Sequence, residues 1–157
     1  MRTVERVNRS ERLFANPGAR SFTSEPPSHA PLEVHRRLPG YAPSRLIEAP
    51  QTAARLGLAK LWVKDESNRL GLPAFKILGA SWATVQAARQ ALRERTGQDV
   101  GDWDSLDVLA ARLEPLRPMT LACATDGNHG RAVARMARLL GFDARIFVPS
   151  DMADARK

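Results

Sequence analysis

Two short segments of this 157-residue chain hold residue types that could do chemistry. The first reads Lys64-Asp-Glu-Ser-Asn-Arg-Leu-Gly-Leu-Pro-Ala-Phe-Lys76-Ile-Leu-Gly-Ala80. Lys76 sits just inside the start of a helical pattern, after a loop that contains Gly71 and Pro73. Such a setting suits a lysine that attacks a carbonyl to form a Schiff base. The positive end of the helix dipole and burial both favour the neutral, nucleophilic amine. A solvated surface lysine is the plainer reading of the same position. The second segment reads Ala124-Thr-Asp-Gly-Asn-His-Gly130, between an apolar run and another helical pattern. Strand-to-helix turns of α/β sheets lie at the carboxyl ends of strands, where ligands bind. Gly127 and Gly130 would let backbone approach a ligand, and the helix start offers N–H groups to an anion. Asn128 can donate or accept a hydrogen bond there. The plainer reading is a helix cap, with Asp126 or Asn128 at the N-cap.

The elements that must position these residues follow from periodicity and punctuation. Residues 52–57 read as a short helix closed by Gly57, residues 61–64 as a strand and residues 65–73 as a loop. From 74 to about 95 runs a long helical pattern, with Phe75, Leu78, Trp82, Val85 and Leu92 near helical spacing and Gly97 at the stop. Residues 105–113 predict a helix capped by Ser105 or Asp104 and ended by Pro115 and Pro118. Residues 120–124 predict a buried strand, 129–140 a helix closed by Gly141, and 144–148 a further strand. The alternation of strands and helices predicts an α/β fold with three parallel strands joined by crossovers. Trp62, Trp82 and Cys123 are expected in the core. His29 and His35 carry no functional signal.

Residues 1 to about 31 are polar and broken by Pro17, Pro26, Pro27 and Pro31. The expected organisation is an irregular arm over residues 1–40 and an α/β region over residues 41–157. The last stretch, 150–157, begins like a capped helix at Ser150 or Asp151, and no glycine or proline closes it. Three strands would leave sheet edges bare. The expectation is a partial sequence or a truncated gene product that is catalytically silent alone.

Composition narrows the function classes. The chain is 43% hydrophobic and 26% charged, ordinary for a globular protein. No apolar run approaches the roughly 20 residues of a membrane helix, and residues 1–10 lack a signal-peptide core. A cytoplasmic protein without membrane partners is expected, and the single cysteine, Cys123, excludes an internal disulfide. The net charge of +7 raises the question of nucleic acid. Yet only four of the 24 basic residues are lysines, and the arginines are scattered along predicted helices. There is no basic run, no zinc-ligand spacing and few aromatics to stack on bases. Neither a nucleic-acid partner nor a metal is expected.

Taken together, Lys64-Asp-Glu, Phe75-Lys76 and Thr125-Asp-Gly-Asn-His-Gly130 resemble the diaminopropionate ammonia-lyase family. That family belongs to the fold-type-II, tryptophan-synthase-β-like enzymes that use pyridoxal phosphate (PLP). The resemblance runs from about Tyr41 onward and is strongest over residues 61–82 and 124–141. Related serine and threonine dehydratases typically show Ser-x-Gly-Asn-His-Ala, and cysteine synthases Thr-Ser-Gly-Asn-Thr-Gly. Asp126, and Gly71-Leu-Pro-Ala74 before Phe75, resemble the diaminopropionate branch.

The resemblance implies a partial three-layer PLP fold with a parallel sheet, incomplete at its carboxyl end. It implies that Lys76 carries PLP as a Schiff base and then acts as base on the substrate α-carbon. Asn128 would hydrogen-bond the cofactor's phenolic oxygen, and Phe75 would pack near the ring. Thr125, Asp126, Gly127, His129 and Gly130 would receive the substrate carboxylate, although a histidine beside a helix cap is often structural. Asp126 would serve as acid or base for the opposite enantiomer. Lys64, Asp65 and Glu66 would form a charged strand end that positions the loop. The implied reaction is α,β-elimination of 2,3-diaminopropionate to pyruvate and ammonia, in a homodimer when full-length. Another PLP-dependent dehydratase or β-eliminase of small amino acids, or a non-catalytic remnant, are the alternatives. The chain departs from the family pattern at Ser44-Arg45-Leu46, where Thr-Pro-Leu is usual. No glycine-rich phosphate loop is recognisable in it.

Overall fold

The computed structural model describes residues 18, 24–26, 28–125 and 127–151. Its elements, in chain order, begin with helix α1 (Ala30–Arg36), strand β1 (Leu46–Glu48), helix α2 (Pro50–Leu56) and strand β2 (Trp62–Lys64). Helix α3 (Lys76–Thr96), helix α4 (Leu106–Arg112), strand β3 (Thr120–Ala124), helix α5 (Asn128–Leu140) and strand β4 (Asp143–Phe147) follow. Helix termination obeys the sequence. Gly57, Gly97 and Gly141 close α2, α3 and α5 in the left-handed conformation. At the start of α4, Ser105 Oγ accepts from the Val108 amide.

The unit that carries the core is β3–α5–β4. The two strands pair in parallel, with Ala122 opposite Arg145 and Ala124 opposite Phe147. Helix α5 crosses between them, and its apolar stripe of Ala132, Met136, Ala137 and Leu140 is wholly buried. Helix α3 packs along α5 and contributes Ile77, Val85, Ala88 and Leu92 to the same cluster. Helix α4 closes it with Leu106 and Leu109, and Leu113 at its C-cap adds to the same cluster. Truncating Met136 or Leu140 to alanine should cost about 2–5 kcal/mol, because both side chains are fully enclosed.

Three expectations need correction. The strand at Trp62–Lys64 does not join the parallel pair. It runs antiparallel to β1, which had no sequence signal because three residues between Pro43 and Pro50 are too few for a period-2 pattern. Trp62 is 47% exposed rather than in the core, because β1 and β2 form an isolated ribbon with open faces. Trp82 and Cys123 are half-buried against the cluster. The stretch 1–40 expected to be irregular contains a helix: Ala30–Arg36 is helical with Pro31 in its first turn, where a missing N–H costs nothing. Val34 of α1 is buried, and His35 Nε2 donates to the Leu78 carbonyl at 2.8 Å, joining α1 to the start of α3. The helix expected over 150–157 lies outside the described residues, apart from a turn at Ser150 and Asp151.

Candidate active site

Lys76 is the first residue of α3, and Phe75 is its N-cap. The helix begins there because Pro73 cannot be carried inside it and Gly71 breaks the chain before it. Phe75 offers no side-chain acceptor, so the first amides of α3 receive no capping bond. Nζ of Lys76 lies 5.0 Å from the Phe75 ring centre and joins no ion pair among the described residues. The burial expected of this lysine is absent. Lys76 is exposed and Phe75 is 54% exposed, because no described element covers the start of α3. The amine is therefore held in place by its loop rather than by a surrounding pocket.

That loop is pinned by charge. Arg69, only 7% exposed, donates through Nε to Glu66 Oε2 at 2.6 Å and through Nη1 to the Ala42 carbonyl at 2.7 Å. Its Nη2 reaches Glu66 Oε1 and Ser44 Oγ, both at 2.8 Å. Ser44 Oγ in turn donates to Glu66 Oε1 at 2.5 Å. Beside this cluster, Lys64 Nζ donates to the Ser44 carbonyl and Arg45 pairs with Asp65, each at 2.8 Å. The Arg69 guanidinium, and then the Ser44 hydroxyl, pull the Glu66 carboxyl down to about 2. Hydrogen bonds from Ser67, with Arg45 behind them, do the same for Asp65. Lys64, Asp65 and Glu66 thus form a charged strand end fastened to residues 42–45.

The loop then turns sharply. Arg69 and Leu72 exchange backbone hydrogen bonds of 2.8 and 3.0 Å around Leu70 and Gly71, both at positive φ (55° and 77°). Glycine accepts that conformation freely, whereas for leucine it costs about 1–2 kcal/mol. The side chain explains its presence: Leu70 is packed against the core, beside Leu38, Ile77 and Met136. A strained residue is thereby used as an apolar anchor shortly before α3 begins at Lys76.

The second group sits at the β3-to-α5 turn. The Thr125 amide donates to Phe147 O at 2.9 Å, extending the parallel ladder by one residue. Thr125 Oγ1 accepts from the Gly127 amide at 3.3 Å, which braces the bend. Gly127 is the N-cap and supplies no side chain, and Asn128 is the first helical residue, so the capping role considered for Asn128 is not taken. Asp126 lies outside the described residues. The two glycines differ. Among the described residues, a Cβ on Gly127 would meet nothing within 4 Å, while one on Gly130 would lie 2.6 Å from Thr125 Cγ2 and 2.7 Å from Ile146 Cγ2. The close approach at Gly130 is therefore to the strands. The open side of the turn is at Gly127, where Asn128 and His129 are exposed. His129 makes no hydrogen bond with the described residues, which leaves the structural reading of it without a partner.

No hydrogen bond links the Lys76 group to the Asn128 group among the described residues. Packing of α3 on α5 holds both in one body. Lys76 offers an exposed amine at the start of α3, and α5 starts at a glycine N-cap that supplies no side-chain cap. A family model described as pyridoxal-phosphate dependent enzyme matches residues 37–157. The chain belongs to that family. Diaminopropionate ammonia-lyase of Escherichia coli is 32% identical over 156 residues, covering 96% of this chain and 36% of the relative. The Salmonella typhimurium protein of the same name is 34% identical over 146 residues, covering 90% of this chain and 34% of the relative. The crystal structure of the E. coli lyase in apo form matches with a TM-score of 0.67 at 36% identity, over 80% of this chain and 32% of that one. The chain spans about a third of the length of the curated relatives it matches.

Pyridoxal phosphate is the cofactor of this family. The described residues fit its reactive end: Lys76 offers a primary amine without an ion-pair partner, and α5 opens with amides that its glycine cap leaves unbonded. Sequence reasoning missed Ser44 and Arg69 as members of the site's frame. The available signal was the opposite charge of Glu66 and Arg69 three positions apart, next to a loop that ends on the lysine.

Proposed function

We propose that this protein takes part in PLP-dependent α,β-elimination of 2,3-diaminopropionate to pyruvate and ammonia. The observation that carries the reading is Lys76 as first residue of α3, its amine unpaired among the described residues, in a chain of the PLP-dependent family. The lyase names of relatives 32–34% identical support the substrate. When bound, PLP supplies an electron sink for the substrate α-carbon. Lys76 holds the cofactor and then carries the α-proton on its amine. Asn128 donates to the cofactor's phenolic oxygen, and Phe75 flanks its ring. The turn from Thr125 to Gly130, with Asp126 and His129 and open at Gly127, receives the substrate carboxylate at the start of α5. Asp126 moves the proton on the opposite face, so that both enantiomers can be used. A small amino acid is the substrate, and a homodimer is the assembly.

Because Lys76, Asn128 and His129 are exposed in this chain, the covalent adduct is a better readout than turnover. The chain is incubated with PLP, reduced with borohydride and mapped by peptide mass. The label is expected at Lys76 and is lost in Lys76→Ala. A label concentrated at Lys60 or Lys64 overturns the assignment. In an enzyme assay of the whole protein, Asp126→Asn should slow one enantiomer about 10²–10⁴-fold more than the other.

A further inference from the structure

We infer that Arg69 is a positioning residue for Lys76, acting through the Leu70–Gly71 turn and through its hydrogen bonds to Glu66, Ser44 and Ala42. The inference rests on Lys76 being the cofactor lysine.

Every nitrogen of the Arg69 guanidinium is committed. Nε and Nη2 take the two oxygens of Glu66, Nη1 takes the Ala42 carbonyl, and Nη2 also takes Ser44 Oγ. Four of its five N–H donors are used on Glu66, Ala42 and Ser44, and the side chain is buried, which marks Arg69 as part of the frame rather than of a binding surface. The bonds join two separate stretches, residues 42–44 before β1 and residues 66–69 after β2. A planar, forked guanidinium fixes direction as well as distance, which an ammonium does not. From this fixed point the chain makes the Leu70–Gly71 turn, and the Leu70 side chain seats against the core beside Ile77, the residue next to Lys76. The remaining connection to α3 is Pro73, Ala74 and Phe75, at most about 10 Å of chain, and Pro73 removes one of its rotations. Where Arg69 stands therefore decides where α3 begins. The Lys76 amine is exposed and has no ion-pair partner among the described residues to hold it. Besides the Phe75 ring, the packing of Ile77 and the His35–Leu78 bond that seat the first turn of α3, the frame behind it is what those residues supply to hold it.

The test compares the unsubstituted chain, Arg69→Met and the double variant Glu66→Gln/Arg69→Met. Melting temperature is measured, together with the ratio of borohydride-trapped PLP at Lys76 to that at Lys60. Arg69→Met strands a carboxylate and should lower both. A displacement near 1 Å is enough to reduce reactivity by about 10²-fold, and a fall in the ratio of about tenfold or more is expected. The double variant removes the stranded charge and should recover much of the melting temperature. Its labelling ratio should stay low. A ratio that recovers with the melting temperature, or that never falls, overturns the inference and leaves Arg69 a stabilising residue. Equal labelling of Lys60 and Lys76 in the unsubstituted chain defeats the cofactor-lysine reading and this inference with it, an outcome visible before any substitution is made.

Discussion

The loops before α3 and before α5 solve the same problem with opposite materials. Each delivers a functional candidate to the start of a helix. The loop before α3 is held by side chains: a buried arginine with every guanidinium nitrogen bonded, a bidentate glutamate, a serine hydroxyl and a strained leucine. The loop before α5 is held by backbone, by one uncharged hydroxyl (Thr125 Oγ1 on the Gly127 amide) and by what is missing, namely a side chain at Gly130. The first uses charge, which titrates and responds to salt. The second uses steric fit, which does neither. The lysine loop has no covering element among the described residues, so electrostatic fastening substitutes for packing. The asparagine loop sits directly on β3 and β4, so packing suffices.

The largest effect expected from breaking this comparison is at Gly130. An alanine there would place Cβ within 2.7 Å of methyls on Thr125 and Ile146. Both neighbours are β-branched and cannot rotate away cheaply. Gly130→Ala should destabilise the chain by about 1–3 kcal/mol in denaturant titration. An unchanged midpoint would mean that α5 can slide off the strands, and that steric fit does not set this loop.

Acid should act on the other loop at smaller scale. Glu66 has an ordinary value of 4.5 and is held down to about 2 by Arg69 and Ser44. Its folded-state value is depressed, so its contribution is complete above about 4.5 and is lost as pH falls through the folded value near 2. Partial solvent access limits the effect to about 1 kcal/mol. Melting temperature measured from pH 5 down to about 2 should fall less steeply in Glu66→Gln than in the unsubstituted chain. Parallel curves would show that the Arg69 cluster holds without ionised Glu66.

How legible these loops were in the sequence follows from the same contrast. The steric loop was written locally. An apolar run, a glycine-bearing turn and a helical stripe placed β3, α5 and β4 within a residue or so of their observed limits. The charged loop was only half written. Lys76, its helix and the closing Gly97 were readable by period and punctuation. The partners that hold the loop were not, because Ala42 and Ser44 meet Arg69 across more than 20 residues, and no local pattern encodes that contact. Strand β1 escaped for the same reason. Its three residues become a strand only by pairing with β2. The exposure of Lys76 was also beyond local reading, since burial depends on what lies over a helix start rather than on its sequence.

The smallest stability effect, and the sharpest use of the comparison, is at Gly127. It lies three residues from Gly130, yet a Cβ there meets no described residue within 4 Å. If the turn were a packing device throughout, both glycines would resist alanine equally. If its open side is kept for a ligand, Gly127→Ala should leave stability within about 0.5 kcal/mol, as for an ordinary surface substitution. It should still hinder whatever approaches the first amides of α5, because the added methyl projects into that space. Retention of PLP by the chain, followed by equilibrium dialysis, should weaken about three- to tenfold, equivalent to roughly 0.7–1.4 kcal/mol. Equal retention with an unchanged melting temperature would mean that the ligand does not pass Gly127. The α5 start would then lose its role in the site, leaving Lys76 and its charged frame as the part of the site that stands.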